Sequence, residues 1–312
     1  MNRPFRMAAS LGAVIILIAA CTGPGATSTP TPTATEPPMS EGPMSEPPMS
    51  EGPATPIPGG LLDKIMTAGK IVVSTDPAYP PQSEQKPDGS YEGFDIDVAT
   101  ELASRLGVEI EWATPPWEAI TAGGWGGRWD ISVGSMTITP ERLEVVDFTV
   151  PYYFTPAQMA ASTQSGITTL EGMAGKTVCA GEGTTYFHWL QGNLDFGPGG
   201  RPDPPPAGVI ATTLPTDRDC ALTWQSGRHD FEGWLSAEPT VDEAIADGLP
   251  LIKVGDPVYS EPLAVAADKS GPDTSDLFAF LSQAITEMHA DGTLTQLSMK
   301  WYGEDITKDP SL

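Results

Sequence analysis

From Gly60 onward the apolar positions follow two alternating rhythms. "LLDKIMTAG" (61–69) and "FDIDVATELASRLG" (94–107) space them three and four apart and stop on glycine, which predicts helices. In the second, Ile96, Val98 or Ala99, Leu102, Ala103 and Leu106 form one stripe. "KIVVST" (70–75) is a short β-rich run, and "VEIEWA" (108–113) and "WDISVGSM" (129–136) read as strands. "PWEAITAG" (116–123) predicts a short helix opened by proline. "LEGMAGKTVCAGEGTTYFHWLQG" (170–192) predicts a turn, a strand, a Gly-rich loop and a helix. "GVIATTL" and "DRDCALTWQSG" repeat strand and helix, and 275–303 is helical. Repeated β-α units predict an α/β fold with mostly parallel sheets. "FGPGGRPDPPPAG" (196–208) is too proline-rich for either element and predicts a surface loop.

The first sixty residues have neither rhythm. Arg3 and Arg6 precede an apolar run that is too short and wrongly flanked for a stable membrane span, so 1–20 reads as an export signal. Its end, "IAAC", resembles a bacterial lipobox, which implies an acylated Cys21; the other reading is an ordinary signal peptide cut nearby. Residues 21–60 are dominated by Pro, Thr, Ser, Gly and Glu, with "PMSEG", "PMSEP" and "PMSEG" in succession from Pro38. So little apolar surface cannot offset chain entropy, and the stretch reads as a disordered tether.

A net charge of −25 disfavours a nucleic-acid partner, whose phosphates would be repelled. If Cys21 carries lipid, Cys179 and Cys220 remain in a disulfide-permissive compartment. We expect them to pair, the other outcome being two buried thiols. No G-x-S-x-G elbow, H-E-x-x-H, C-x-x-C or P-loop occurs, and His188, His229 and His289 are scattered. No catalytic nucleophile, metal site or cofactor site is predicted.

Several motifs are more specific. They are "IVVSTDPAYPP" (71–81), "GSYEGFDIDVATELASRLGV" (89–108), "WDISVGSMTITPERLEVVDFTVPYY" (129–153), "LEGMAGKTVCAGEGTT" (170–185), "SGRHDF" (226–231) and "ADGTLTQLSMKWYG" (290–303). In order and spacing the chain from about Lys70 to Gly303 is similar to the polar amino-acid-binding branch of the ABC-importer solute-binding proteins. That resemblance implies a type II two-lobe fold, two mostly parallel sheets joined by two hinge strands. Lobe 1 would be 61–160 plus 256–312 and lobe 2 would be 161–255.

The resemblance also implies a site. Gly134, Ser135 and Thr137 would offer amides and hydroxyls to a ligand carboxylate, a short helix would aim its N-terminus at it, and Arg142 would supply a planar fork. Tyr79 and Trp117 match ligand-stacking positions, or else fill the core. Asp76 faces the cleft or caps a turn. Thr184 and Thr185 would reach the ligand from lobe 2, with helix capping as the other role. The family's usual aspartate after "GR-x-D" is missing near Trp234 to Ser236. Glu232 or Glu238 could substitute, or Trp234 could complete an aromatic box; Trp234 reads equally well as core.

These expectations describe a binding protein, not an enzyme. It would be a monomer held at the outer face of the cytoplasmic membrane, or in the periplasm, by lipid on Cys21 alone. It would pass an amino acid or related carboxylate to ABC permease subunits. The rivals are a dehydratase for prephenate-like acids using Glu182 or Glu232, and a ligand-sensing lipoprotein.

Overall fold

The computed structural model describes residues 55–310. The export signal, Cys21 and the tether as far as residue 54 lie outside the described residues. Helix α1 (Leu61–Ala68) leads into β1 (Lys70–Ser74). A small antiparallel sheet of β2 (Ala78–Tyr79), β3 (Ser83–Gln85) and β4 (Tyr91–Glu92) follows. Next come α2 (Phe94–Leu106), β5 (Glu109–Ala113), α3 (Trp117–Thr121) and β6 (Ile131–Thr137). The chain runs through β7 (Val146–Phe148) and the long β8 (Tyr153–Ser162) to β9 (Thr177–Gly181), α4 (Thr185–Leu190) and β10 (Ile210–Leu214). It continues through α5 (Asp217–Gln225), β11 (Gly233–Ala237), α6 (Glu238–Ala246) and β12 (Leu251–Lys253). The long β13 (Tyr259–Asp268) returns, and α7 (Ser275–Ala290) and α8 (Thr293–Tyr302) follow it.

The hydrophobic rhythm explains the helices. In α2 the expected stripe is buried, and Gly107 ends the helix in the left-handed region at φ 76°, its N–H returning to Ala103 and Ser104. Helix α5 opens with a capping box, Thr216 and Asp219 each accepting the other's backbone N–H. The proline-rich stretch 196–208 contains one 3-10 turn, Gly197–Gly199, and otherwise runs as loop.

One hydrogen-bonded ladder runs in the order β10-β9-β11-β8-β13-β6-β1-β5. Its outer pairs β1/β5, β1/β6, β9/β10 and β9/β11 are parallel. The two long strands in the middle, β8 and β13, pair antiparallel, with Tyr153 opposite Leu263 and Ala157 opposite Tyr259. The two expected parallel sheets are therefore continuous through this crossing pair.

The apolar core changes over along those strands. Tyr152 just before β8 and Tyr153 at its start, with Leu263, Val265, Ala266 and Ala267 on β13, pack with α1, α2, α7 and the β1-β5-β6 strands. Ala157, Met159 and Ala161 pack with β9, α4 and Leu235 instead. A third cluster gathers Ala160, the two cysteines, Trp224 and Trp234. Cys179 and Cys220 form a disulfide that ties β9 to α5.

Among the described residues no helix is long and apolar enough to cross a membrane.

Candidate functional site

The parallel strands β1, β6, β9 and β10 deliver their C-terminal ends to one cleft, the usual place for a site in an open α/β sheet. Asp76, Tyr79, Trp117, Gly134, Ser135, Thr137, Arg142, Thr184 and Thr185 all line it. Gly181, Glu182, Tyr186, Asp217 and Glu261 complete much of the wall, and the space, counting its mouth, is about 450 Å³.

Ser135 is the one non-glycine residue with positive φ among the described residues, at 56°. Its N–H donates to Tyr152 Oη at 3.0 Å, and its Oγ donates to Asp95 Oδ2 at 2.6 Å and lies 2.5 Å from Tyr153 Oη. Tyr152 Oη donates to Asp95 Oδ1 at 2.7 Å. Burial raises the Asp95 pKa to about 7, against the lowering effect of the Ser135 and Tyr152 hydrogen bonds. Ser135 thus lines the cleft while its donors serve this buried network, not the anion expected of them.

Arg142 carries the cleft's cation. It is 7% exposed, and Nη1 donates to Thr137 O at 3.0 Å while Nη2 donates to Gly183 O at 3.1 Å. Its Cζ lies 5.5 Å from the centre of the Trp117 ring, a cation–π distance. Those bonds use two of the five N–H groups a guanidinium offers, and among the described residues Arg142 makes no ion pair. Burial lowers its pKa, opposed mainly by attraction to Glu261. The short helix expected to aim its N-terminus at the carboxylate is a 3-10 turn, Arg142–Glu144, with Arg142 itself in it. Three residues supply no useful helix dipole, so any anion here depends on the guanidinium.

Glu261 sits opposite on β13, 2% exposed, its Oε2 accepting Thr137 Oγ1 and Thr185 Oγ1, each at 2.6 Å. Burial raises its pKa against those hydroxyls and Arg142. Thr184 caps α4: its Oγ1 accepts Phe187 N–H at 3.3 Å and donates to Gly181 O at 2.8 Å. Asp76 plays both roles foreseen for it, lining the cleft while Oδ1 accepts Ala78 N–H at 2.8 Å. Tyr79 and Tyr186 hydroxyls lie 3.0 Å apart, and Trp117 Nε1 donates to Gly183 O at 3.3 Å.

Trp234 is a correction. It is wholly buried as the second residue of β11, opposite Ala160 and beside Cys179, and packs in the disulfide cluster. The cleft lies at the C-terminal ends of the parallel strands and Trp234 sits near the other end of β11, so no aromatic box forms. Glu232 and Glu238 are not in the cleft either: Glu232 accepts Thr177 N–H at 3.1 Å and Glu238 pairs with Lys253 at 2.8 Å.

Asp217 and Glu261 are the acids that reading the sequence missed. Each carried a signal: Asp217 follows the Thr216 cap directly, and Glu261 stands just before the apolar run "PLAVAA" of its strand.

Two packed lobes joined by crossing strands, with a polar cleft between them, define a type II periplasmic binding protein. The chain belongs to the bacterial extracellular solute-binding proteins, family 3, whose model matches residues 71–304. It is 30% identical over 259 residues to the L-cystine-binding protein TcyJ of Escherichia coli K12, covering 80% of this chain and 88% of that protein. The crystal structure of an ABC uptake transporter substrate-binding protein from Streptococcus pneumoniae with bound histidine matches with a TM-score of 0.69. Identity there is 25%, covering 81% of this chain and all of that one. The ancestral amino acid-binding protein AncCDT-1, a precursor of cyclohexadienyl dehydratase, matches with a TM-score of 0.65 at 28% identity, covering 77% and 99%.

Proposed function

We propose that this protein captures an amino acid or a close carboxylate relative outside the cytoplasm and hands it to the permease of an ABC importer. The carrying observation is Arg142: a buried guanidinium in a cleft, with N–H groups to spare and no ion pair among the described residues. A buried charge is expensive until it is paired, and a ligand carboxylate supplies the planar partner. The relatives' names support the class, since cystine-, histidine- and arginine-binding proteins are among them.

The working cycle follows from contacts on both sides of the cleft. Lobe 1 (61–160 and 256–312) presents Arg142, and lobe 2 (161–255) presents Thr185 and Gly183. A solute touching both stabilises the closed form in proportion to its differential affinity. The protein works as a monomer tethered through acylated Cys21.

Titration calorimetry of wild type and Arg142→Ala against the twenty L-amino acids and L-cystine tests the reading. We expect the variant to lose about 100-fold or more in affinity while keeping its melting temperature, as when one partner of a buried charge pair is removed. Equal affinity in the two proteins removes Arg142 from the site.

A further inference from the structure

We propose that Asp217, supplied by the start of α5, is the specificity residue that selects a protonated amino group on the solute. The inference rests on the amino-acid reading of the cleft and names the second charge of that ligand.

Two buried carboxylates of the cleft, Asp217 and Glu261, and the half-buried Asp76 differ in how they are answered. Glu261 receives two hydroxyls and the attraction of Arg142. Asp76 receives the N–H of its own turn. Asp217 receives one backbone N–H, from Gly181 to Oδ1 at 2.6 Å, and no donor reaches Oδ2 among the described residues. That approach depends on glycine, because a Cβ on Gly181 would lie 2.8 Å from Oδ1.

Among the described residues no cation pairs with Asp217. Asp76 faces it from the loop after β1, Tyr79 from β2, Tyr186 from α4, Ser236 from β11, and Tyr259 and Glu261 from β13. On its own helix Arg218 is paired with Asp247, and Asp219 is held in the capping box. Ser236 Oγ lies close enough to ease the charge on Asp217, though among the described residues it meets no partner at hydrogen-bond geometry. Ser236 belongs to the stretch where an acid would be expected from the resemblance, so the carboxylate enters from a neighbouring element. Arg142 and Asp217 thus line one cleft as its unpaired cation and its least-answered buried acid, a match for a zwitterion.

Burial, reinforced by Asp76 and Glu261, pushes the Asp217 pKa up to about 8. At pH 7 the free protein therefore holds a proton there that an arriving ammonium displaces, and affinity rises from pH 6 to pH 8.

The test is calorimetry with the same panel of twenty L-amino acids and L-cystine on wild type, Asp217→Asn and the double variant Asp217→Asn/Ser236→Asp. Asparagine keeps an oxygen for Gly181 N–H, and the double variant returns the charge from β11. We expect Asp217→Asn to lose about 30-fold or more in affinity for whichever panel member wild type binds, and the double variant to recover most of it. At pH 7 the wild-type heat should vary with the ionisation enthalpy of the buffer, reporting proton release, and that variation should vanish in Asp217→Asn. If Asp217→Asn binds as wild type does while Arg142→Ala does not, this inference fails and the proposed function stands. If no panel member binds wild type, both fail.

Discussion

Thr137 and Thr185 donate to one and the same atom, Glu261 Oε2, each at 2.6 Å. Thr137 ends β6 and Thr185 opens α4, so this oxygen on the long strand β13 ties the end of one element to the start of the other. Hydrogen bonds to a charged acceptor contribute about 1.5–3 kcal/mol each. Thr185→Val should therefore speed ligand dissociation by about tenfold with little change in association, as is usual for variants of one interface. Stopped-flow fluorescence measures both rates. An unaltered dissociation rate would separate this contact from closure.

The buried acids set a pH dependence of stability with a definite sign. Asp95 is raised to about 7 and Asp217 to about 8, in both cases chiefly by burial. The unfolded chain releases these protons near the ordinary carboxylate value, so between those limits the folded state binds more protons and stability falls as pH rises. Asp291 and Asp305, lowered to about 2, act in the opposite sense: their contribution is present above the ordinary value and is lost as pH falls towards 2. The ligand-free protein should therefore melt highest near pH 4–5 and lower at pH 8, and Asp217→Asn should flatten the alkaline side. Melting curves from pH 3 to pH 9 check this, and a midpoint that climbs from pH 5 to pH 8 contradicts it.

What could be read in advance follows the range of the interactions. The stripe of α2, its stop at Gly107 and the loop at 196–208 depend on neighbours within a few residues, and local spacing reveals them. The gathering of Asp76, Arg142 and Thr185 was foreseen only through resemblance, because it depends on strands pairing across long separations. Asp217 and Glu261 stayed hidden for the same reason: each looks like a helix-start or strand residue until the sheet order brings it to the cleft. Ser135 was misread in another way. Its place was foreseen, but the φ of 56° and the bonds to Asp95 and Tyr152, which commit its donors, are not visible in a local string.

The disulfide spans 41 residues and both cysteines are fully buried. Closing a loop of that size stabilises the fold by about 4 kcal/mol in the chain-entropy model. Cys179→Ser/Cys220→Ser should show a lower midpoint in denaturant with an intact binding cleft, since neither sulfur lines it. Native protein should also resist thiol labelling after mild reductant until it begins to unfold. Rapid labelling of both cysteines under native conditions would show that β9 and α5 open locally.

Trp234 separates packing from recognition most sharply. Its ring is buried in the cluster that also holds Trp224, Phe231 and Leu251, and among the described residues its indole Nε1 finds no hydrogen-bond partner. Phenylalanine in its place removes volume, which destabilises, and also removes an unanswered N–H, which offsets part of that loss. Trp234→Phe should therefore cost about 1–2 kcal/mol of stability and leave amino-acid affinity within about twofold. Trp117→Phe should do the reverse, because Trp117 stacks on Arg142 and donates to Gly183 across the cleft. Denaturant titration and calorimetry on the two variants give a crossed pattern if the cleft ends at the strand tips. A tenfold affinity loss in Trp234→Phe with normal stability would mean that the binding surface reaches down into the sheet.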